Sequence, residues 1–427
     1  MDLVYSNARA TIVAASGNSA SDGLPGISVP RYQAHADIGE THLIQVSNVV
    51  EEITLSKWST RGWTYQEWYF SRRRLIFADS EVVFLCNQEM AQETIWGVGF
   101  YPFGVNGDEF ESLTPQRYSR LHSRDLMSRI EVYSRRDLSH DCDSLNAFSG
   151  ILRHYESAAE RCHESFSHLW GVPLQMHHYP GEVLVMFELM WDHEAIAHRR
   201  DGLPSWSWSG WGGSVTFTDS ALKIQVPTAK LAADENEKVT SSGKRVLRIQ
   251  ISLEDRTIDL YSFCRERKLN LHRGIQPKEL HITSFIIPLR FRKVHSDPLP
   301  KIIPTFLARP GIFLGTLVCW DREHDFELHK LGLVLPSGDY YEGVYNIIVL
   351  HPVADGKYER AGLVILNYDP HTGNFKNGGL HEDWEVLLDE NDNLISEEDP
   401  KYMNLGNEES NEYLFLQDAE WKTICLV

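Results

Sequence analysis

The stretch Leu55–Phe77, LSKWSTRGWTYQEWYFSRRRLIF, with VVFLC following at Val82–Cys86, decides how the first part of this chain folds. From Trp58 to Trp68 the aromatic residues recur at helical spacing. Arg74–Ala78 (RLIFA) and Glu81–Cys86 (EVVFLC) are short apolar runs of strand type. Working upstream, the loop chemistry of GNSASDGLPG (Gly17–Gly26) is preceded by Ala10–Ala15, ATIVAA, which has the composition of a fully buried strand. Before it, Met1–Ala8 has the apolar residues of a helix end and no N-cap. Strand, helix and strand thus alternate through residues 1–100, an α/β pattern.

Downstream, Pro115–Ser134, Ser144–Cys162 and Glu182–His193 are expected as helices, making 101–231 a helical middle region. Ala232–Lys244 has linker composition. From there the chain changes to short β-rich runs: VLRIQISL, IDLYSF, LHITSFIIPLRF, IFLGTLVCW, KLGLVLP, YNIIVL and AGLVIL. Residues 245–427 are therefore expected to form an antiparallel sheet or sandwich with its own core.

The chain has 427 residues, long enough for two or three domains, and 42% hydrophobic residues to fill their cores. Its formal charge is -19, from 41 basic and 60 acidic side chains, which argues against nucleic acid or an anionic membrane as partner. Most of the excess lies in residues 382–412, with twelve Asp and Glu against one Lys, and is expected to be solvated surface. The six cysteines show no C-x-x-C pair, so neither a disulfide framework nor a zinc pattern is legible, and a reducing, cytoplasmic setting fits. The N-terminal residues lack the basic and apolar regions of a secretory signal, and no apolar run approaches a membrane span.

Three stretches together resemble fungal heterokaryon-incompatibility (HET) domain proteins. VYSNARATIVAASGNSASDGLPG (Val4–Gly26), with Arg31 after it, is similar to the family's Y-x-x-A-x-x-T-I-V-A segment and G-L-P-G turn. The Leu55–Phe77 block matches its R-G-W-T-x-Q-E region, and LPSWSWSGWGG (Leu203–Gly213) is similar to a downstream P-S-W-S-W motif. The likeness covers residues 1–90 and this outlying motif. It implies that 1–100 is the C-terminal half of a HET domain, because the family's A-L-S-Y-x-W-G and W-I-D-x-x-C-I-N-Q segments would precede residue 1; either the product is natively short or, as the family's Met before Y-x-x-A favours, Met1 is an internal methionine. It also implies a role in non-self recognition and programmed cell death, with other HET-family or incompatibility proteins, or a second copy, as partners.

HET domains in turn resemble TIR domains, some of which cleave NAD with one helical glutamate. Trp63 and Glu67 have the W-x-x-x-E spacing of that helix and lie one turn apart on one face. The resemblance implies Glu67 as the catalytic carboxylate, stabilising an oxocarbenium-like transition state, and Trp63 and Arg61 as substrate-binding residues, with NAD as substrate of a complete form. The plain alternative makes Trp63 a core anchor and Glu67 an ion-pair partner of Arg61, Arg72 or Arg73. With Glu67 catalytic, a complete form that supplies the preceding half-domain would be a TIR-like NAD hydrolase; a non-enzymatic interaction module or an inactive truncated relic is the rival.

Other patterns carry less. Trp206, Trp208 and Trp211 would form a ligand platform or, more simply, staple two domains together. No histidine pattern suits a metal, and Gly97-Val-Gly99 lacks the rest of a dinucleotide fingerprint. The carboxylates of Asp389–Asp392 are followed by Leu394 where a calcium loop needs glycine, so no metal and no cofactor is expected.

Overall fold

The computed structural model describes residues 1–19, 21–31, 33–45, 47–86, 89–93, 123–180, 182–193, 195, 197–217, 222–227, 247–254, 256–268, 274–294, 301–309, 312–315, 319–320, 329–336, 344–369, 374–375, 386–391, 393 and 418–427. The expected linker at 232–244, Gly97-Val-Gly99 and most of the acidic 382–412 stretch lie outside these residues. The chain divides into two compact units, where the sequence was read as three regions: residues 1–122 with 132–158, and 123–131 with 159–427.

The first unit opens with helix α1 (Asp2–Asn7) and strand β1 (Thr11–Ala14). A hairpin of β2 (His35–Ile38) and β3 (Thr41–Ile44) follows, then helices α2 (Val49–Thr54), α3 (Lys57–Thr60) and α4 (Gly62–Phe70). Strands β4 (Arg73–Phe77), β5 (Val82–Cys86) and β6 (Met90–Gln92) complete its sheet, in the order β1-β4-β5-β6. The β1–β4 pair is parallel, with Val13 opposite Ile76, and the other pairs are antiparallel. A parallel pair needs a crossover, and α2 to α4 supply it. Val13, Val49, Val50, Ile53, Trp68, Ile76, Val83 and Leu85 form the core between helices and sheet.

The strand expected to be fully buried is an edge. Only Val13 of β1 is buried, while Ile12 is 64% exposed, because β1 pairs with β4 on one side and alternate side chains point to opposite faces. Helices α5 (Ser123–Ser134) and α6 (Ser149–Arg161) agree with two of the expected middle helices, residues 115–122 lying outside the description. In the first unit the Tyr65 and Phe148 rings stack 6.2 Å apart, with the Tyr133 ring tilted 4.9 Å from Phe148, a second small core.

The third expected middle helix is a correction. Residues 182–193 form β9 (Glu182–Phe187) and a short strand, Trp191–His193. Buried Val183, Val185 and Phe187 follow a period of two, and β9 pairs with the strand β8 (Val172–Tyr179) directly before it in the chain. The run EVLVMF is apolar at both helical and strand spacing, so sheet partners decide it. With β7 (Ser165–Leu169) and Leu222–Pro227, these strands make a four-stranded antiparallel sheet, and the middle region is not mainly helical.

The β-rich C-terminal region has the antiparallel sheet expected. Its long strand Leu280–Val294 pairs with Arg248–Ser252, Lys301–Arg309, His329–Pro336 and the last strand, Glu420–Leu426. Val344–Pro352 and Tyr358–Asp369 extend it. One apolar run was misread in part: Leu260–Lys268, containing YSF, is helical after a three-residue strand. Among the described residues no helix is long and apolar enough to cross a membrane.

Candidate functional site

The R-G-W-T-Y-Q-E-W block is built around a close backbone approach. Gly62 donates its N–H to the Asp137 carbonyl at 2.7 Å, and Asp137 donates to Thr60 at 2.6 Å. Arg136 then reaches the Arg61 carbonyl (3.3 Å) and the Thr64 hydroxyl (3.1 Å), with its guanidinium 4.8 Å from the Tyr65 ring. Burial pushes Arg136 down to about 10, which leaves it charged at neutral pH. The Thr64 hydroxyl shares its proton between the carbonyls of Trp58 and Arg61, both at 2.7 Å. One turn on, the Trp68 carbonyl accepts from Nε and Nη2 of Arg74 at 3.2 and 2.7 Å, and the guanidinium lies 4.3 Å from the Trp68 ring. Thus Arg61, Gly62, Thr64 and Trp68 lock the helix to the loop and strand around it.

Glu67 is half-buried on α4, and its carboxylate accepts a hydrogen bond from the hydroxyl of Tyr5 on α1. Burial raises its pKa; the Tyr5 bond and the charge of Arg61 oppose that rise without cancelling it. Tyr5 in turn is pushed up to about 12 by burial and by the Glu67 charge. Trp63 is partly buried and donates its indole N–H to Asp143 at 3.2 Å. Arg61 is exposed, with its backbone carbonyl engaged by Arg136. The three residues share one segment, but each has a different neighbour. Tyr5, the hydrogen-bond partner of Glu67, was missed; the Y-x-x-A segment containing it was the signal available.

A cleft of this unit lies elsewhere. About 530 Å³ in volume, it opens at the C-terminal ends of β1 and β4, lined among others by Ser16, Asp22, Gln33, Glu52, Asp79 and Ser80. Crevices beyond the carboxyl ends of parallel strands are where α/β sheets place ligands. Glu67, Trp63 and Arg61 are not in its lining. Glu67 lies one turn before the C-cap of α4, Ser71, which bonds Thr11 at the N-terminal end of β1 at 2.7 Å, the opposite end of the strands. In the cleft, Glu52 accepts from the N–H and hydroxyl of Ser80 at 3.2 and 3.0 Å. Asp79 is raised by burial and by the nearby Glu52 charge, whereas Asp22 is held low by hydrogen bonds from Ser19 and Asn18. The described lining includes three carboxylates and no Lys or Arg.

In the second unit, the P-S-W-S-W motif proves to be a buried clamp. Trp206, Trp208 and Trp211 are at most 1% exposed, and their indole N–H groups donate to the carbonyls of Lys278, Gly171 and Ser205 at 2.9, 3.0 and 2.8 Å. Ser207 and Ser209 both donate to the Trp170 carbonyl. Trp170 and Gly171 form the two-residue turn between β7 and β8, with φ of +50° and +89°. Positive φ is strained for tryptophan, and the clamp holds it there. The tryptophans therefore pack as buried anchors and join the middle region to the C-terminal sheet within one unit, which corrects the ligand-platform expectation.

Structurally the first unit is an α/β layer with a parallel strand pair, a locked R-G-W helix and an acidic cleft. Residues 1–67 match the family model described as heterokaryon incompatibility protein (HET), and the chain carries HET-domain sequence over that stretch. No curated protein and no solved structure matches the chain.

Proposed function

We propose that this protein acts in non-self recognition of the heterokaryon-incompatibility type, in the fungal cytoplasm, and contributes to programmed cell death by binding other incompatibility proteins. The observation that carries a binding role over catalysis is the placement of Glu67. Its carboxylate is held by Tyr5 at the end of the strands away from the cleft. The cleft's three carboxylates also disfavour the pyrophosphate of a dinucleotide, which needs cationic or N–H donors.

The second reading keeps Glu67 as the catalytic carboxylate of a TIR-like NAD hydrolase, with Trp63 and Arg61 binding substrate. It is favoured by one feature: burial raises the Glu67 pKa, as an acid catalyst needs. Inducible expression of the full chain in a filamentous fungal host, with death scored by vital dye and NAD measured in the same cells, separates the two. The binding role predicts that Glu67→Gln still triggers death and that NAD does not fall before it. Loss of both death and NAD consumption in a folded Glu67→Gln protein would establish the catalytic reading instead.

A further inference from the structure

On the second unit, three side chains of metal-ligating type converge from two neighbouring strands. His281 and Cys425 are directly opposed in the antiparallel pairing of Leu280–Val294 with Glu420–Leu426. Directly opposed residues project from the same face of a sheet. Glu279 lies two residues before His281 and so reaches the same side. One ligand atom from each of Glu279, His281 and Cys425 lies within 4.8 Å of the others. Glu279 Oε2 is 3.8 Å from Cys425 Sγ and 4.0 Å from His281 Nε2. All three residues are partly accessible, so an ion can enter from solvent.

We propose that Glu279, His281 and Cys425 form a site for a borderline divalent cation of the zinc class. Tetrahedral zinc with N, O and S ligands needs ligand-to-ligand separations of roughly 3.4–3.6 Å, which follow from bond lengths of about 2.0–2.3 Å. The separations of 3.8 and 4.0 Å exceed that by about 0.2 to 0.6 Å, within reach of side-chain rotation. Mixed thiolate, imidazole and carboxylate donors select zinc over magnesium or calcium, which take oxygen. Three protein ligands leave the fourth position to water.

The surroundings are arranged to hold this group. Lys357 donates to Glu279 Oε1 at 2.6 Å, which orients the carboxylate and leaves Oε2 turned toward His281 and Cys425. The backbone beside two of the ligands is pinned by the buried tryptophan clamp: Trp206 holds the Lys278 carbonyl, and the Ser205 N–H holds that of Val427 at 3.0 Å. Two contacts must yield: the Ser252 hydroxyl sits 2.7 Å from His281 Nε2, the atom that would bind the ion, and the Cys425 thiol donates to Glu279 Oε2. Exchanging these partly buried hydrogen bonds for coordination bonds, with the thiol proton released to solvent, is favourable.

The test is titration of the purified full chain with Zn²⁺ against a chromophoric chelator, and with Co²⁺ by absorption. One equivalent should bind, and the cobalt form should show a thiolate-to-metal charge-transfer band. Cys425→Ser and His281→Gln should each weaken binding by about 100-fold or more, beyond the 10- to 100-fold typical of outer-sphere changes, and Cys425→Ser should abolish the band. Cys162→Ser, a change at an exposed cysteine, should leave both unchanged. Circular dichroism and Tm confirm that the variants fold. Absence of stoichiometric uptake, a cobalt complex without the thiolate band, or equal affinity in folded Cys425→Ser would each overturn the proposal.

Discussion

Gly62 lies so close to Leu138 that a Cβ on the glycine would overlap Cδ2 of the leucine and come within 3.1 Å of its Cγ. The approach is set by backbone hydrogen bonds on both sides, Gly62 to Asp137 and Asp137 to Thr60. The R-G-W sequence therefore serves packing: a side chain at position 62 would displace Leu138 from its place beside the bridge between Arg61 and Asp137.

Gly62→Ala should lower stability even though alanine is the better helix former. Overpacking costs about 1–3 kcal/mol, while the helix gain is about 1 kcal/mol at most. In Gly62→Ala with Leu138→Ala, the damage should be smaller than the two single changes summed, as expected for residues in contact. Calorimetry of the four proteins checks this, and a neutral or stabilising Gly62→Ala would refute the packing account.

Glu67 supplies a prediction in pH. Its folded pKa is raised by burial, so the folded state holds this proton more tightly than the unfolded chain. The associated stability is fully present below the unfolded carboxylate value, near 4.5, and is lost as pH rises through the folded value. Glutamine mimics the protonated acid and keeps an acceptor for Tyr5. The Tm of Glu67→Gln relative to the native protein should therefore be more favourable at pH 7 than at pH 4. A difference that does not vary with pH would mean that the carboxyl is not desolvated.

Trp208→Phe should cost about 1–3 kcal/mol, the penalty for a buried acceptor left without its donor, here the Gly171 carbonyl. The same change should loosen the turn at Trp170, seen as faster amide exchange at Gly171. An unchanged exchange rate would separate the tryptophan from the clamp.

Much of the first unit was legible because its signals are local. The Trp58–Trp68 helical spacing became α3 and α4, and RLIFA and EVVFLC became β4 and β5, since periods of 3.6 and 2 are written in adjacent residues. The same logic failed at Glu182–Phe187, where both periods fit and pairing with Val172–Tyr179 chose the strand. It also failed at β1, whose apolar composition suggested full burial although its place at the sheet edge leaves Ile12 in solvent. Glu67 was visible as a helical carboxylate, but its bond to Tyr5 and its distance from the acidic cleft were not.

By itself the sequence determined the elements whose patterns span one or two turns, the HET resemblance of its first residues, and the exclusion of partners that need clustered positive charge. Only the tertiary structure decided which residues meet: Tyr5 with Glu67, Gly62 with Leu138, Trp208 with Gly171, and His281 with Cys425. The reason is physical. Periodicity reports which face of an element is apolar, whereas burial, hydrogen-bond partners and the convergence of ligating side chains depend on pairing between segments far apart in the chain.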